Sequence, residues 1–210
     1  MKKIFVLLTT LLLLVGQFTY AQNKTENTVL PKDKKPFYLE TGINASLPVH
    51  IQMYRSHRLA LGINARAGKI ISRKLELGIR FDYDYRFIKK GSRILTTEST
   101  LTERALHSNF SLFSIKPNVQ FNLNSNYFLG VETGLGYALS DEDSKIGLGF
   151  VSEYASDQQF GLCSGLYFGK SFDIGSNKDK ISLSLNFSQF LALGHAENSL
   201  GLRINYLFLN

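Results

Sequence analysis

The sequence predicts an all-β fold: an eight-stranded antiparallel up-and-down transmembrane β-barrel with short turns at one rim and longer loops at the other. Three observations support this prediction. Apolar and polar residues alternate in eight segments from Phe37 onward, the glycines of these segments fall on the polar faces, and aromatic residues concentrate near the segment ends. Because successive side chains of a strand point to opposite faces, each segment has one apolar and one polar face.

The residues before the alternating segments have a different character. Lysines at the start are followed by an apolar run too short to span a membrane as a helix, and then by small residues before position 22. This order predicts a signal peptide over residues 1–21. Residues 22–36 are polar and lack periodicity, so we expect a flexible periplasmic tail before a barrel domain over residues 37–210.

The segment Leu75–Phe87 shows the alternation most clearly, with apolar or aromatic odd-numbered residues and charged or glycine even-numbered residues. The eight segments and their apolar faces are Phe37–Val49 (Leu39, Ile43, Leu47), Arg58–Ile71 (Leu59, Leu61, Ile63), Leu75–Phe87 (Leu77, Ile79, Phe81), Ser108–Phe121 (Phe113, Ile115, Val119), Tyr127–Ser140 (Leu129, Val131, Leu135), Gln159–Phe172 (Leu162, Leu166, Phe168), Ile181–Leu193 (Leu183, Leu185, Phe187) and Leu200–Leu209 (Leu202, Ile204, Tyr206). Each segment exceeds the roughly five to six residues common in globular proteins, and an even number of strands is typical of single-chain bacterial barrels.

The connections between the predicted strands alternate in length after a first connection from His50 to His57. Short turns are expected at Ser72–Lys74, Asn122–Asn126 and Asp173–Lys180, and longer or intermediate loops at Ile88–His107, Asp141–Gln158 and Gly194–Ser199. Short and long connections therefore fall on opposite rims, an asymmetry typical of barrels with short periplasmic turns and longer extracellular loops.

The strand glycines indicate which face points inward. They lie on the polar faces, and only a crowded barrel interior gains from the loss of side chains there. The glycines are Gly42, Gly62, Gly68, Gly78, Gly130, Gly134, Gly136, Gly161, Gly165, Gly169 and Gly201. The apolar faces are therefore predicted to point outward, to lipid.

Aromatic residues are expected to form two outward girdles at the two water–lipid boundaries. The group near the short turns is Phe37, Phe121, Tyr127, Phe172, Tyr206 and Phe208, and the group near the long loops is Tyr85, Phe87, Phe110, Tyr137, Phe160 and Phe187. Pro117 interrupts one strand and is expected to mark a bulge or local bend, since proline cannot donate to a strand ladder.

The inward faces carry charges of both signs, which predicts a salt-bridged network inside the barrel because desolvated charges must be paired. Its predicted members are Glu40, Glu76, Asp82, Asp84 and Glu132 against Arg58, Arg66, Arg80, Arg86, Lys116 and Arg203. We interpret this network as structural.

The run Phe113–Phe121 with its central proline, followed by the glycine-rich run Tyr127–Tyr137, resembles the PorT-like branch of small outer-membrane β-barrel proteins of Gram-negative bacteria. The architecture is similar to OmpX-like barrels of the outer-membrane protein β-barrel domain. The resemblance implies an outer-membrane location and a role among adhesins, secretion accessories and other proteins of the cell envelope. It does not assign an activity.

The leading functional expectation is a monomeric, non-enzymatic structural or binding protein that acts through its extracellular loops and needs no cofactor. Expected partners are outer-membrane lipid, lipopolysaccharide and an unknown protein at the loops. Lys89, Lys90, Arg93 and Arg104 give the second loop a basic character suited to lipopolysaccharide phosphates. With 24 basic and 17 acidic residues, the chain lacks the dense positive charge expected of a nucleic-acid-binding protein.

Two alternatives stay open at this point. His50, His57, His107 and His195 all fall near the long loops and would form the rim site of a membrane-embedded lipid-modifying enzyme. The other alternative is a narrow, porin-like pore. A general diffusion pore is disfavoured, because side chains fill the interior of an eight-stranded barrel.

Overall fold

A computed structural model describes residues 37–49, 57–89, 109–123, 126–141, 158–174, 179–192 and 195–209. The predicted signal peptide and tail lie outside the described residues. Within the described ranges, no helix has the length and apolar character required to cross a membrane.

Eight antiparallel strands form a closed barrel in which each strand pairs with its neighbours in the sequence. The strands are β1 (Phe37–Pro48), β2 (His57–Ser72), β3 (Leu75–Ile88), β4 (Phe110–Asn122), β5 (Tyr127–Ser140), β6 (Gln158–Ile174), β7 (Asp179–Ala192) and β8 (His195–Leu209). Pairing of Thr41 with Tyr206 belongs to the β1–β8 ladder that closes the barrel. The predicted eight-stranded, antiparallel, up-and-down architecture is confirmed.

The last strand begins earlier than the sequence predicts. The expected loop Gly194–Ser199 is largely strand, since Ala192 pairs with His195 at the top of the β7–β8 hairpin. The prediction failed because the outward residues here, Ala196 and Asn198, do not give the apolar signal on which it relied. We call this end of the barrel, with the β3–β4 and β5–β6 connections, the long-loop rim, and the opposite end, with the β2–β3 turn, the short-turn rim.

The two faces of the barrel wall reverse the arrangement of a water-soluble protein. Large apolar side chains such as Ile43, Phe81 and Ile204 are exposed on the outside, whereas Arg66 and Arg203 are buried inside. Water-soluble proteins seldom bury charged residues fully or expose a continuous apolar surface of this extent. Barrels that face lipid show this inside-out pattern.

Glycines make room for the rings that fill the interior. A side chain at Gly130 would overlap the Tyr167 ring, and one at Gly68 would overlap the Tyr38 ring. Phe128 fills the space over Gly169 in the same way. The interior of this barrel therefore packs large rings against glycines on neighbouring strands.

Of the bulge or local bend that the sequence predicts at Pro117, the strand register excludes the bulge. The β4–β5 register is the same on both sides of it, with Ile115 opposite Leu135 and Asn118 opposite Glu132. Instead, the β4–β5 ladder is interrupted at Lys116 and Pro117, since proline has no backbone donor. The strand therefore lacks this ladder hydrogen bond but contains no extra, bulged residue.

Gly134 faces this interruption, and its replacement by alanine is expected to destabilise the barrel by about 1–3 kcal/mol. A methyl group there would overlap the Ile115 carbonyl oxygen and approach Lys116 Cα, both backbone atoms that cannot rotate away. Urea titration of the folded barrel measures the effect.

Gly165→Ala is the matched control for Gly134→Ala. Its methyl group would meet the Phe187 carbonyl oxygen at 3.1 Å, which requires a shift of only a few tenths of an ångström. We expect a change below about 1 kcal/mol. Equal losses for both variants would contradict a specific close approach at Gly134.

Candidate functional site

The middle of the barrel interior holds a layer of buried charges centred on Glu132. Its carboxylate accepts from Arg203 at 2.7 Å and from Lys116 at 2.6 Å, and lies 3.3 Å from Arg80 Nε. Strands β3, β4, β5 and β8 each contribute one of these side chains. Arg80, Lys116 and Glu132 lie on adjacent strands, whereas Arg203 reaches Glu132 across the interior from β8.

Further acids extend the layer toward both rims. Asp82 lies 2.8 Å from Lys116 Nζ and 3.6 Å from Arg203. Glu40 lies 3.2 Å from Arg66 and 3.7 Å from Arg80, so it links the centre to the short-turn side. The charges are therefore connected into one network rather than separate pairs.

Nearer the short-turn rim, Arg66 is the organising group. Its guanidinium donates to Asn118 and Gln120, each at 2.8 Å, and lies 3.6 Å from Glu76. It also stacks over the Tyr38 ring at 4.9 Å. These contacts supply partners for a cation that is almost completely buried, as charge burial requires.

Nearer the long-loop rim, Arg86 forms an ion pair with Glu197, and Asn44 donates to Asp84. Glu197 is absent from the predicted network because the sequence places it in a loop. Its alternation with Ser199, which is also buried, is the signal that would have found it.

Arg58 does not belong to the network, so this part of the prediction is wrong. A register shift between His57 and Leu59 changes the alternation at the top of β2. As a result His57 is buried and Arg58 is exposed. The other ten predicted charges are buried or partly buried, as the contacts above describe.

Apolar side chains close the interior beneath the long-loop rim. The cluster consists of Phe110, Leu112, Ala138, Cys163, Phe190 and Ala192. Phe110 is fully buried and meets the His57 ring edge-on at 5.2 Å, so its predicted place in the outward girdle is wrong. The reason is that β4 turns its even-numbered residues inward along its whole length, including this first one.

Side chains fill much of the interior in the described part of the barrel. A cavity of about 20 Å³ lies between the charge layer and the apolar cluster, lined by Asn44, Asp84 and Arg203 among others. This is roughly the space of one water molecule. At the other end, Tyr38, Phe128 and Tyr167 fill the section below the charges.

The four histidines do not form a site in the described residues. His57 points into the barrel, and only the backbone of His195 is described, at the start of β8. His50 and His107 lie outside the described residues. Among the described side chains, no group of three or more histidine, cysteine, aspartate or glutamate residues is suited to hold a metal ion.

The outer wall carries aromatic contacts at both rims. Near the long-loop rim, Tyr137 packs on Phe160 at 4.6 Å and donates to Gln158 at 2.8 Å. Near the short-turn rim, Tyr206 packs on Phe208 at 4.5 Å. Apart from Phe110, the predicted girdle residues lie on the outward faces of their strands.

Comparison with known proteins identifies similar folds but does not assign a family. No protein-family model and no curated protein matches the chain. Among solved structures, the chain is similar to Ail, the attachment invasion locus protein of Yersinia pestis, with a TM-score of 0.52 and 14% identity, over 83% of this chain and 99% of Ail.

Two further structures show the same likeness. Ail in complex with the heparin analogue sucrose octasulfate matches with a TM-score of 0.50 and 14% identity, over 83% of this chain and 100% of that one. Neisserial surface protein A matches with a TM-score of 0.53 and 13% identity, over 81% and 95%. The chain thus has the closed eight-stranded fold of small outer-membrane β-barrel proteins.

Proposed function

We propose that the chain is an integral outer-membrane barrel protein, exported by its signal peptide, that acts as a binding protein through its long loops. The observation that carries the proposal is the inside-out wall, with apolar residues exposed and a charge network centred on Glu132 buried. An apolar outer face of this kind suits lipid. The fold shared with Ail and Neisserial surface protein A supports the same location.

Because side chains fill the interior, we assign the binding function to the loops. The interior cavity of about 20 Å³ is too small for a transported solute, and the interior of an eight-stranded barrel is ordinarily filled by side chains. The connections over residues 89–109 and 141–157 are the longest in the chain and leave the barrel at one rim. We propose that the protein is monomeric and non-enzymatic and is of the PorT-like or OmpX-like kind. It would take part in attachment or secretion at the cell envelope.

The ligand class that we propose for the loops is a phosphate- or sulfate-bearing polyanion such as lipopolysaccharide. The sequence of the β3–β4 loop supports it, because Lys89, Lys90, Arg93 and Arg104 give this loop a positive charge. The crystal structure of Ail with sucrose octasulfate suggests a practical probe for this chemistry.

The test uses the full chain refolded into liposomes and into detergent micelles. We expect it to float with liposomes at high pH, to migrate differently on unheated and boiled gels, and to bind sucrose octasulfate in a calorimeter. Lys90→Gln combined with Arg93→Gln and Arg104→Gln should weaken binding at least about tenfold, since each charge-assisted contact contributes over 1 kcal/mol.

Arg73→Gln combined with Lys74→Gln removes charge from the opposite rim and serves as the control, with binding expected to be unchanged. A chain that fails to float would refute the membrane location. Unchanged binding in the loop variant would refute the role of the loop while leaving the location intact.

A further inference from the structure

We infer that the short-turn rim carries a binding site for the phosphate group of anionic membrane lipids, centred on Lys170. The inference rests on the proposed membrane location and goes beyond the loops at the other rim. It is drawn from the cations that interrupt the outward aromatic face at this end of the barrel.

Lys170 lies within the aromatic girdle rather than beyond it. On the outward face of β6 it follows Phe168 and precedes Phe172. Its Nζ lies 5.1 Å from the centre of the Tyr127 ring on β5 and 5.2 Å from that of the Phe172 ring. Tyr127 in turn stacks on Phe168, with 6.1 Å between ring centres. The ammonium group is therefore held between aromatic rings on the lipid-facing wall.

A cation at this depth needs an anion. Apolar surface surrounds Lys170, and in the described part of the chain it forms no ion pair with a carboxylate. Aromatic girdles lie at the level of lipid headgroups, where phosphate groups are the available anions. A lysine on an apolar wall reaches toward such groups while its aliphatic stem packs against its neighbours.

A second lysine contacts an aromatic ring at the same rim, on the opposite side of the barrel. Lys69 faces outward on β2, with its Nζ 5.1 Å from the centre of the Phe37 ring on β1. Arg73 and Lys74 are exposed in the adjoining turn. By contrast, Lys180 is matched by Asp173 at 3.3 Å. Within the described residues these four cations, Lys69, Arg73, Lys74 and Lys170, have no carboxylate partner, and they lie at the headgroup level, which favours anionic over neutral lipid.

The chain has no tryptophan, which permits a site-specific test. Phe168→Trp places one fluorophore beside Lys170 and leaves both rings that contact the ammonium in place. Phe160→Trp places one at the other end of the same strand, where the wild-type side chain is 78% exposed. Each variant of the full chain is refolded into vesicles that contain brominated phosphatidylglycerol or brominated phosphatidylcholine, both of which quench indole fluorescence on contact.

We expect phosphatidylglycerol to quench the Phe168→Trp reporter with about a two- to fivefold preference over phosphatidylcholine. The Phe160→Trp reporter lies at the rim of the basic β3–β4 loop and should give the same ratio with and without Lys170→Gln. Adding Lys170→Gln to the Phe168→Trp reporter should abolish most of the preference, whereas adding Lys170→Arg should keep it. High salt should reduce the preference, because exposed charges are screened.

The outcomes separate this inference from the membrane location. Failure of brominated phosphatidylcholine to quench either reporter would refute the membrane location, and this site with it. Quenching at both reporters without a preference at Phe168→Trp, or a preference that survives Lys170→Gln, would refute the site alone. Loss of the preference in inorganic phosphate, compared with chloride at equal ionic strength, would identify a free-anion site and also overturn the inference.

Discussion

Replacing Glu132 with alanine is expected to lower the free energy of unfolding by about 3–5 kcal/mol. The carboxylate is the shared partner of Arg80, Lys116 and Arg203, and its side chain is only 1% exposed. Removing it leaves three cations close together in a water-poor interior, where repulsion and lost solvation both act. Urea titration of the refolded barrel, followed by the unheated gel band, measures the loss.

Glu76→Ala is the matched control for Glu132→Ala. Glu76 lies at the short-turn side of the network, is 14% exposed, forms one ion pair at 3.6 Å with Arg66 and accepts hydrogen bonds from Gln120 and Asn122. Because these amide donors are neutral and Arg66 keeps Glu40 at 3.2 Å, we expect a smaller loss than for Glu132→Ala, about 1–2 kcal/mol.

A second substitution tests whether cations left without a carboxylate partner cause the loss of stability. Adding Arg203→Met to Glu132→Ala should recover part of the stability, because Arg203 loses both of its hydrogen bonds to Glu132 whereas Lys116 keeps Asp82 at 2.8 Å. If Arg203→Met brought no recovery, the loss would reflect packing around Glu132 and not charge.

Replacing Leu185 with arginine is expected to cost about 2–4 kcal/mol and to impair insertion into liposomes. Leu185 lies halfway along β7, faces outward with 50% of its surface exposed, and pairs with Phe168 and Leu202, which are also outward. On a water-soluble barrel the same substitution at an exposed site would be nearly neutral. Insertion yield and urea stability in liposomes distinguish the two environments.

Val49→Arg is the control for depth in the bilayer. Val49 follows β1 at the long-loop rim and has the same 50% exposure as Leu185. At this level an arginine reaches the interface, so we expect a cost of about 0–1 kcal/mol. Equal tolerance of arginine at both positions would contradict a lipid-facing wall.

Period-2 alternation predicted the fold correctly because it depends on local geometry alone. Seven of the strands begin and end close to their predicted bounds, since one apolar face marks each of them. Where the outward residues stop being apolar, as at Ala196 and Asn198, the pattern loses its signal and the start of β8 was missed. Because of this error, Glu197 was not predicted to lie in the interior.

The candidate site was predictable as a set of residues but not as a set of contacts. Alternation identified Glu132, Arg203 and Lys116 as inward charges, yet which acid meets which base depends on the stagger of strands far apart in the chain. A single register shift at the top of β2 was enough to exchange Arg58 for His57. Hydrophobic periodicity does not reveal such a shift, because both Arg58 and His57 are polar and either could face inward or outward.

The sequence by itself determined the strand number, the antiparallel order and the choice of which face points inward, because these follow from local alternation and from glycines confined to one face. The tertiary structure decided the pairing of the buried charges, the closure of the interior by Phe110 and Phe190, and the position of Lys170 between Tyr127 and Phe172. Barrel closure fixes these contacts, because it sets the register between strands that the sequence does not place side by side.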